Sequence, residues 1–208
     1  MNEIAARILH ASMRLFAEKG YAATSVREIV QAAKVTNPML YYYFDSKEGV
    51  FRELMTFLFQ SLNEQLASVF EDETSLERRL RAVARAHFEA CRESPEALRF
   101  IYSVLFGPIL SSPSLDVLAL IEEHHKQVRE AFEQALGSGE FRPRPGVDAL
   151  FATEQFMGLI NNHLLGVLTL YDHFSEHPDF ASMLDNHLSK AALDRMFDFF
   201  FSGAGQLS

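Results

Sequence analysis

The sequence has a single cysteine, Cys91, so no disulfide can close within the chain, and a reducing cytoplasm is the expected compartment. Glycine and proline are sparse, ten and seven of 208 residues, and no stretch has the biased composition of a linker or a disordered tail. No apolar run reaches the roughly 20 residues that a bilayer-spanning helix needs. One of the longest, Phe100–Leu110, is already interrupted by Ser103. The opening Met-Asn-Glu has neither a basic nor an apolar region, so no secretory signal and no membrane partner are expected. The sequence also lacks an acidic pair at helical metal-binding spacing, a glycine-rich phosphate loop and a Ser/His/Asp arrangement, which argues against an all-α enzyme. His124 and His125 stand beside Glu122 and Glu123, but adjacent helical residues point about 100° apart. Neither has a histidine four residues away, so no metal and no other cofactor is expected.

Charge is short on one side. The net charge of −9 opposes nucleic-acid binding if it is spread evenly. It is not spread evenly. Residues 1–50 hold six cations (Arg7, Arg14, Lys19, Arg27, Lys34, Lys47) against five acids (Glu3, Glu18, Glu28, Asp45, Glu48), a balance of +1. The rest of the chain carries −10, which aids solubility and says nothing about those fifty residues. A DNA reader built on +1 must rest on a few well-placed contacts more than on bulk field.

What is present is helix pattern, with almost no strand signal. Ile4, Ile8, Ala11 and Leu15 form one apolar stripe, and Gly20 stands where a left-handed C-terminal cap belongs. Ser25 and Glu28 have the spacing of a capping box and open a short helix bearing Val26, Ile29, Val30 and Ala33. Thr36 caps a second short helix, with Pro38 in its first turn, where a missing N–H breaks no bond. Ser46 opens a long helix through Phe51, Leu54, Leu58 and Leu62 to about Val69. Two short helices joined by a tight turn form the helix-turn-helix pattern, although small bundles use the same caps. Five more helices are predicted at about 75–93, 95–106, 114–137, 146–172 and 182–202. The expected fold is therefore all-α with about nine helices.

The stretches Leu15-Phe16-Ala17-Glu18-Lys19-Gly20-Tyr21, Thr24-Ser25-Val26-Arg27-Glu28-Ile29, Val35-Thr36, Leu40-Tyr41-Tyr42-Tyr43-Phe44 and Ser46-Lys47-Glu48 resemble, in order and spacing, the DNA-binding domain of the TetR family. The resemblance covers roughly residues 5–55; beyond that only length and helical layout agree. It implies a helix-turn-helix DNA-binding domain at 1–47 and an effector-binding and dimerisation domain at 48–208. The function implied is a repressor released from a palindromic operator by a small molecule. The chain departs from the family at Lys34, where glycine is common, and in having no basic cluster ahead of the first helix, so no minor-groove arm is expected.

A recognition helix enters the major groove N-terminus first, which offers Thr36, Asn37, Pro38, Met39 and Tyr42 to base edges. Asn37 suits adenine, and Pro38 and Met39 suit thymine methyls. The resemblance adds Tyr41 and Lys47 as phosphate contacts, while Thr24, Ser25 and Arg27 open the preceding helix beside the backbone. Tyr43 reads as core. For the effector, the polar candidates on apolar helices are His87, Tyr102, His124, Asn162 and His163. The candidate walls are Met55, Phe59, Phe88, Phe106 and Phe156, although aromatic stripes are commonly plain core. The last two helices are apolar on nearly all sides and need a cover, which a second copy of the same pair supplies in a homodimer. A pure interaction module with a vestigial head is the remaining alternative.

Overall fold

The computed structural model describes residues 2–106, 113 and 117–207. Helix α1 (Glu3–Ala23) starts on the Asn2 side chain, which accepts from the Ile4 N–H, and buries Ile8, Leu9 and Phe16. Gly20 interrupts it at φ 83°, ψ 163°, a left-side conformation closed to residues with a Cβ, though more extended than the αL cap expected. Helix α2 (Val26–Ala33) has the capping box: the Ser25 Oγ accepts from Glu28 N–H, and the Glu28 carboxylate accepts from Ser25 N–H at 2.8 Å. It ends at Lys34, held at φ 54°, ψ 47°. Helix α3 (Asn37–Phe44) follows, with Thr36 in cap geometry although its side chain closes no cap bond. Helix α4 (Lys47–Asp72) opens on Ser46, whose Oγ accepts from the Gly49 N–H.

The remaining elements are α5 (Leu76–Glu93), α6 (Pro95–Leu105), α7 (Val117–Ser138), β1 (Phe141–Pro143), α8 (Ala149–Phe174), α9 (Phe180–His187), α10 (Lys190–Ala204) and β2 (Gly205–Leu207). The all-α reading holds, with ten helices among the described residues. The two three-residue strands pair antiparallel, Phe141 opposite Leu207. The expected last helix is divided in two because Ser189 caps a new start, its Oγ accepting from Ala192 N–H. Leu184, Leu188 and Ala191 keep helical spacing across that break, which hid it in the sequence. The break expected around Gly107 lies outside the described residues.

The chain packs as two compact units, 1–61 with 94–120, and 62–93 with 121–208. In the first, α6 lies on α1, and Phe16 stacks on Phe100 with centroids 5.7 Å apart while Phe51 meets both rings edge-on. Burying this aromatic cluster in full contributes about 1.5–3 kcal/mol per side chain and fixes the base on which α2 and α3 sit. The second unit has its own aromatic core, in which Phe156 packs edge-on against Phe197 and Phe200, and Phe132 lies against Phe141. Among the described residues, no helix is long and apolar enough to cross a membrane.

Candidate nucleic-acid interface

Helix α3 has two faces because it has two kinds of residue. Leu40 and Phe44, four apart, are buried in the first unit's core and pin the helix down. The opposite face then points outward by geometry. Thr36, Asn37 and Pro38 are exposed, Met39 and Tyr41 are 39% and 48% exposed, and Tyr42 is 80% exposed. A tyrosine left this open contributes little to the fold through burial. Tyr43, read from the sequence as core, is half-buried, its ring 5.0 Å from that of Tyr42. Ser25 and Arg27 are exposed at the start of α2.

Two expected contacts are corrected. The Thr24 side chain is buried, 1% exposed, and its hydroxyl donates to the Gly20 carbonyl at 2.8 Å, so it closes the turn after α1 and faces no solvent. Lys47 also turns inward. Its ammonium donates to the Tyr21 and Thr24 carbonyls at 2.9 and 2.8 Å and sits 4.1 Å from the centroid of the Tyr21 ring. Partial burial pulls its pKa below the ordinary lysine value. Lys47 thus ties the start of α4 to the α1–α2 turn, an anchor where the resemblance implied a phosphate contact.

Two further residues brace α3 and the helices beside it, and neither stands out in the sequence. Arg7 donates to the carbonyls of Ala33 and Lys34 at 2.5 and 2.8 Å, which satisfies the end of α2 and supports the left-handed Lys34. In the sequence it is one of three cations in the first helix, with Arg14 and Lys19. Gly49 sits where an added Cβ would lie 1.8 Å from the Phe44 carbonyl oxygen, so only glycine lets α4 leave so close to the end of α3.

The effector candidates scatter. Met55, Phe59 and Tyr102 are buried in the first unit, and Phe106 is exposed against the Tyr102 ring at 5.4 Å. In the second unit His87 and His124 come together, Nε2 to Nε2 at 3.1 Å. The His87 Nδ1 donates to the Val83 carbonyl at 2.7 Å, and the His124 Nδ1 is 2.7 Å from the Asn63 Oδ1. Burial keeps both rings neutral, with His87 pushed down to about 4. Phe88 stacks on His163 at 5.2 Å. Two candidates are corrected: Phe156 is walled in by Phe197 and Phe200, and Asn162 is exposed on α8. Among the described residues, no three His, Cys, Asp or Glu side chains gather as a metal site. Cys91 is buried and its thiol is pushed up to about 11, which suits a packing role.

Residues 8–54 match the family model of bacterial regulatory proteins of the tetR family. Over 155 residues, 73% of this chain and 76% of the relative, the sequence is 29% identical to the HTH-type transcriptional repressor KstR2 of Mycobacterium tuberculosis. It is also 29% identical over 147 residues to the HTH-type transcriptional repressor ComR of Escherichia coli, 68% of this chain and 70% of that one. The fold is shared with the solved ketosteroid transcriptional regulator KstR2 of M. tuberculosis: TM-score 0.70, 18% identity, 99% of this chain and 97% of that one. It is shared as well with FadR from Bacillus subtilis in complex with stearoyl-CoA: TM-score 0.66, 18% identity, 88% of this chain and 95% of that one.

Proposed function

We propose, from the match of residues 8–54 to the model of bacterial regulatory proteins of the tetR family, that the chain is a cytoplasmic transcriptional repressor of that family and not an enzyme. It binds a palindromic operator as a homodimer and leaves it when a small-molecule effector binds. The observation that carries this reading is the two-faced α3. An eight-residue helix is pinned by Leu40 and Phe44 and presents Asn37, Pro38, Met39, Tyr41 and Tyr42 outward. These residue types suit base edges and phosphates: Asn37 pairs with adenine, Pro38 and Met39 meet thymine methyls, and the Tyr41 hydroxyl and the Arg27 guanidinium reach the backbone. In this reading residues 1–47 recognise DNA, and 48–208 bind the effector and dimerise.

The dimer rests on α8 and α10. Phe151 and Phe199 stay 46% and 72% exposed beside a groove of about 460 Å³ that Gly158 and Leu159 also line. A surface this apolar is covered most simply by its own copy about a two-fold axis, which also presents two α3 helices to successive grooves about 34–36 Å apart. The effector reading draws on two proteins that share the fold, one a ketosteroid transcriptional regulator and one solved with stearoyl-CoA. Release requires that the effector prefer the non-binding state, whatever its total affinity. Selection of bound sequences from random duplexes tests the proposal. An inverted repeat should emerge; its absence, with salt-dependent binding of every sequence alike, overturns the operator reading.

A further inference from the structure

The second unit contains a cleft that the DNA-binding reading does not use. It lies between α5 and the α9–α10 junction, with a volume of about 290 Å³, near the lower end for small-molecule sites. Its apolar floor is Phe88, Leu188 and Leu193, all buried. Its rim is basic: Arg81, Arg85, Arg92 and Lys190. These are four of only thirteen cations beyond residue 50, gathered at one cleft in a region of net charge −10.

The four are not equivalent. Arg81 is fixed by Glu77 and Asp194 at 2.8 and 2.5 Å and lies over the Phe197 ring. Arg92 is fixed by Asp185 at 2.6 Å and by the Leu188 carbonyl. These two form walls, their charge already matched. Arg85 and Lys190 are exposed and make no ion pair among the described residues. Glu89 is the one carboxylate among the lining residues. A planar guanidinium and a mobile ammonium over an apolar floor fit an oxyanion attached to a short apolar body.

We propose that this cleft binds a small amphipathic oxyanion, a carboxylate or phosphate on a short hydrocarbon. Arg85 and Lys190 hold the charged end, and Phe88, Leu188 and Leu193 hold the apolar end. Binding here does not depend on the operator reading, because it is measured on the full chain without DNA.

Calorimetric titration with hexanoate and with hexyl phosphate tests the site and separates the two headgroups, with hexanol and hexylamine as controls. Saturable binding of one anion per chain is expected. Arg85→Ala and Lys190→Ala should each weaken it at least about tenfold, and Glu89→Gln should tighten it by removing repulsion. Arg195→Ala, an exposed α10 cation outside the cleft lining, should leave it unchanged. The substituted side chains are exposed, and circular dichroism verifies that each variant stays folded. The proposal falls if neither anion binds saturably, if hexanol or hexylamine binds as well, or if Arg85→Ala binds like the parent chain.

Discussion

Replacing Lys47 with methionine separates two roles that the same side chain could play. Methionine keeps most of the aliphatic stem and removes the ammonium, so the loss falls on its bonds to the Tyr21 and Thr24 carbonyls at 2.9 and 2.8 Å and on its contact with the Tyr21 ring. A hydrogen bond from a charged donor is worth about 1.5–3 kcal/mol, and a part-exposed cation–π contact about 0.5–1 kcal/mol. Desolvation of the ammonium, visible in its lowered pKa, offsets part of this. We therefore expect Lys47→Met to cost about 2 kcal/mol. That corresponds to a fall in Tm of about 4–8 °C for a chain of this size. Thermal unfolding gives the first number, and fluorescence anisotropy on an operator duplex across a salt series gives the second. An anchor leaves the slope of log K against log salt unchanged, whereas a lost phosphate contact lowers it by about 0.9. A slope reduced by about one with an unchanged Tm would refute the anchor role. Arg27→Ala, at an exposed position, should do what Lys47→Met should not: lower the slope and spare the Tm.

Gly49→Ala should destabilise the chain by about 3 kcal/mol or more in urea unfolding, since its Cβ meets the Phe44 carbonyl and no flexible group can yield. His87 is neutral in the fold, pushed from 6.5 to about 4, so the unfolded chain binds the extra proton. Stability should therefore fall as the pH drops from about 6.5 toward about 4, and His87→Asn should flatten that dependence in denaturation curves taken at stepped pH. Phe199→Asp places a charge on the most exposed apolar side chain of α10, and light scattering should report monomers that no longer hold a palindromic duplex.

The head was legible because its signals are local. Ser25 with Glu28, Pro38 in a first turn, and Leu40 with Phe44 four apart each state a start or a face within one turn of helix. Even the unusual Lys34 conformation follows from the position it occupies between two short helices. What stayed hidden depends on partners distant in sequence. Arg7 reaches the end of α2 across 26 residues, and Lys47 reaches back to Tyr21 across the same span. A sequence shows that each is a cation but not which carbonyl it meets. The second unit was less readable still. Phe156 and Asn162 lie on one apolar helix, and periodicity alone does not say that the first is sealed by α10 rings while the second faces outward.

Sequence reading by the outward face of α3 is the step on which operator recognition depends. It is tested most directly by the ratio of affinities for the selected palindrome and a scrambled duplex, measured by anisotropy at fixed salt for the parent chain, Asn37→Ala and Tyr42→Ala. Either substitution should cut the ratio by about tenfold or more, while binding to the scrambled duplex hardly changes. An unchanged ratio in both variants would mean that α3 is not the element that meets the bases.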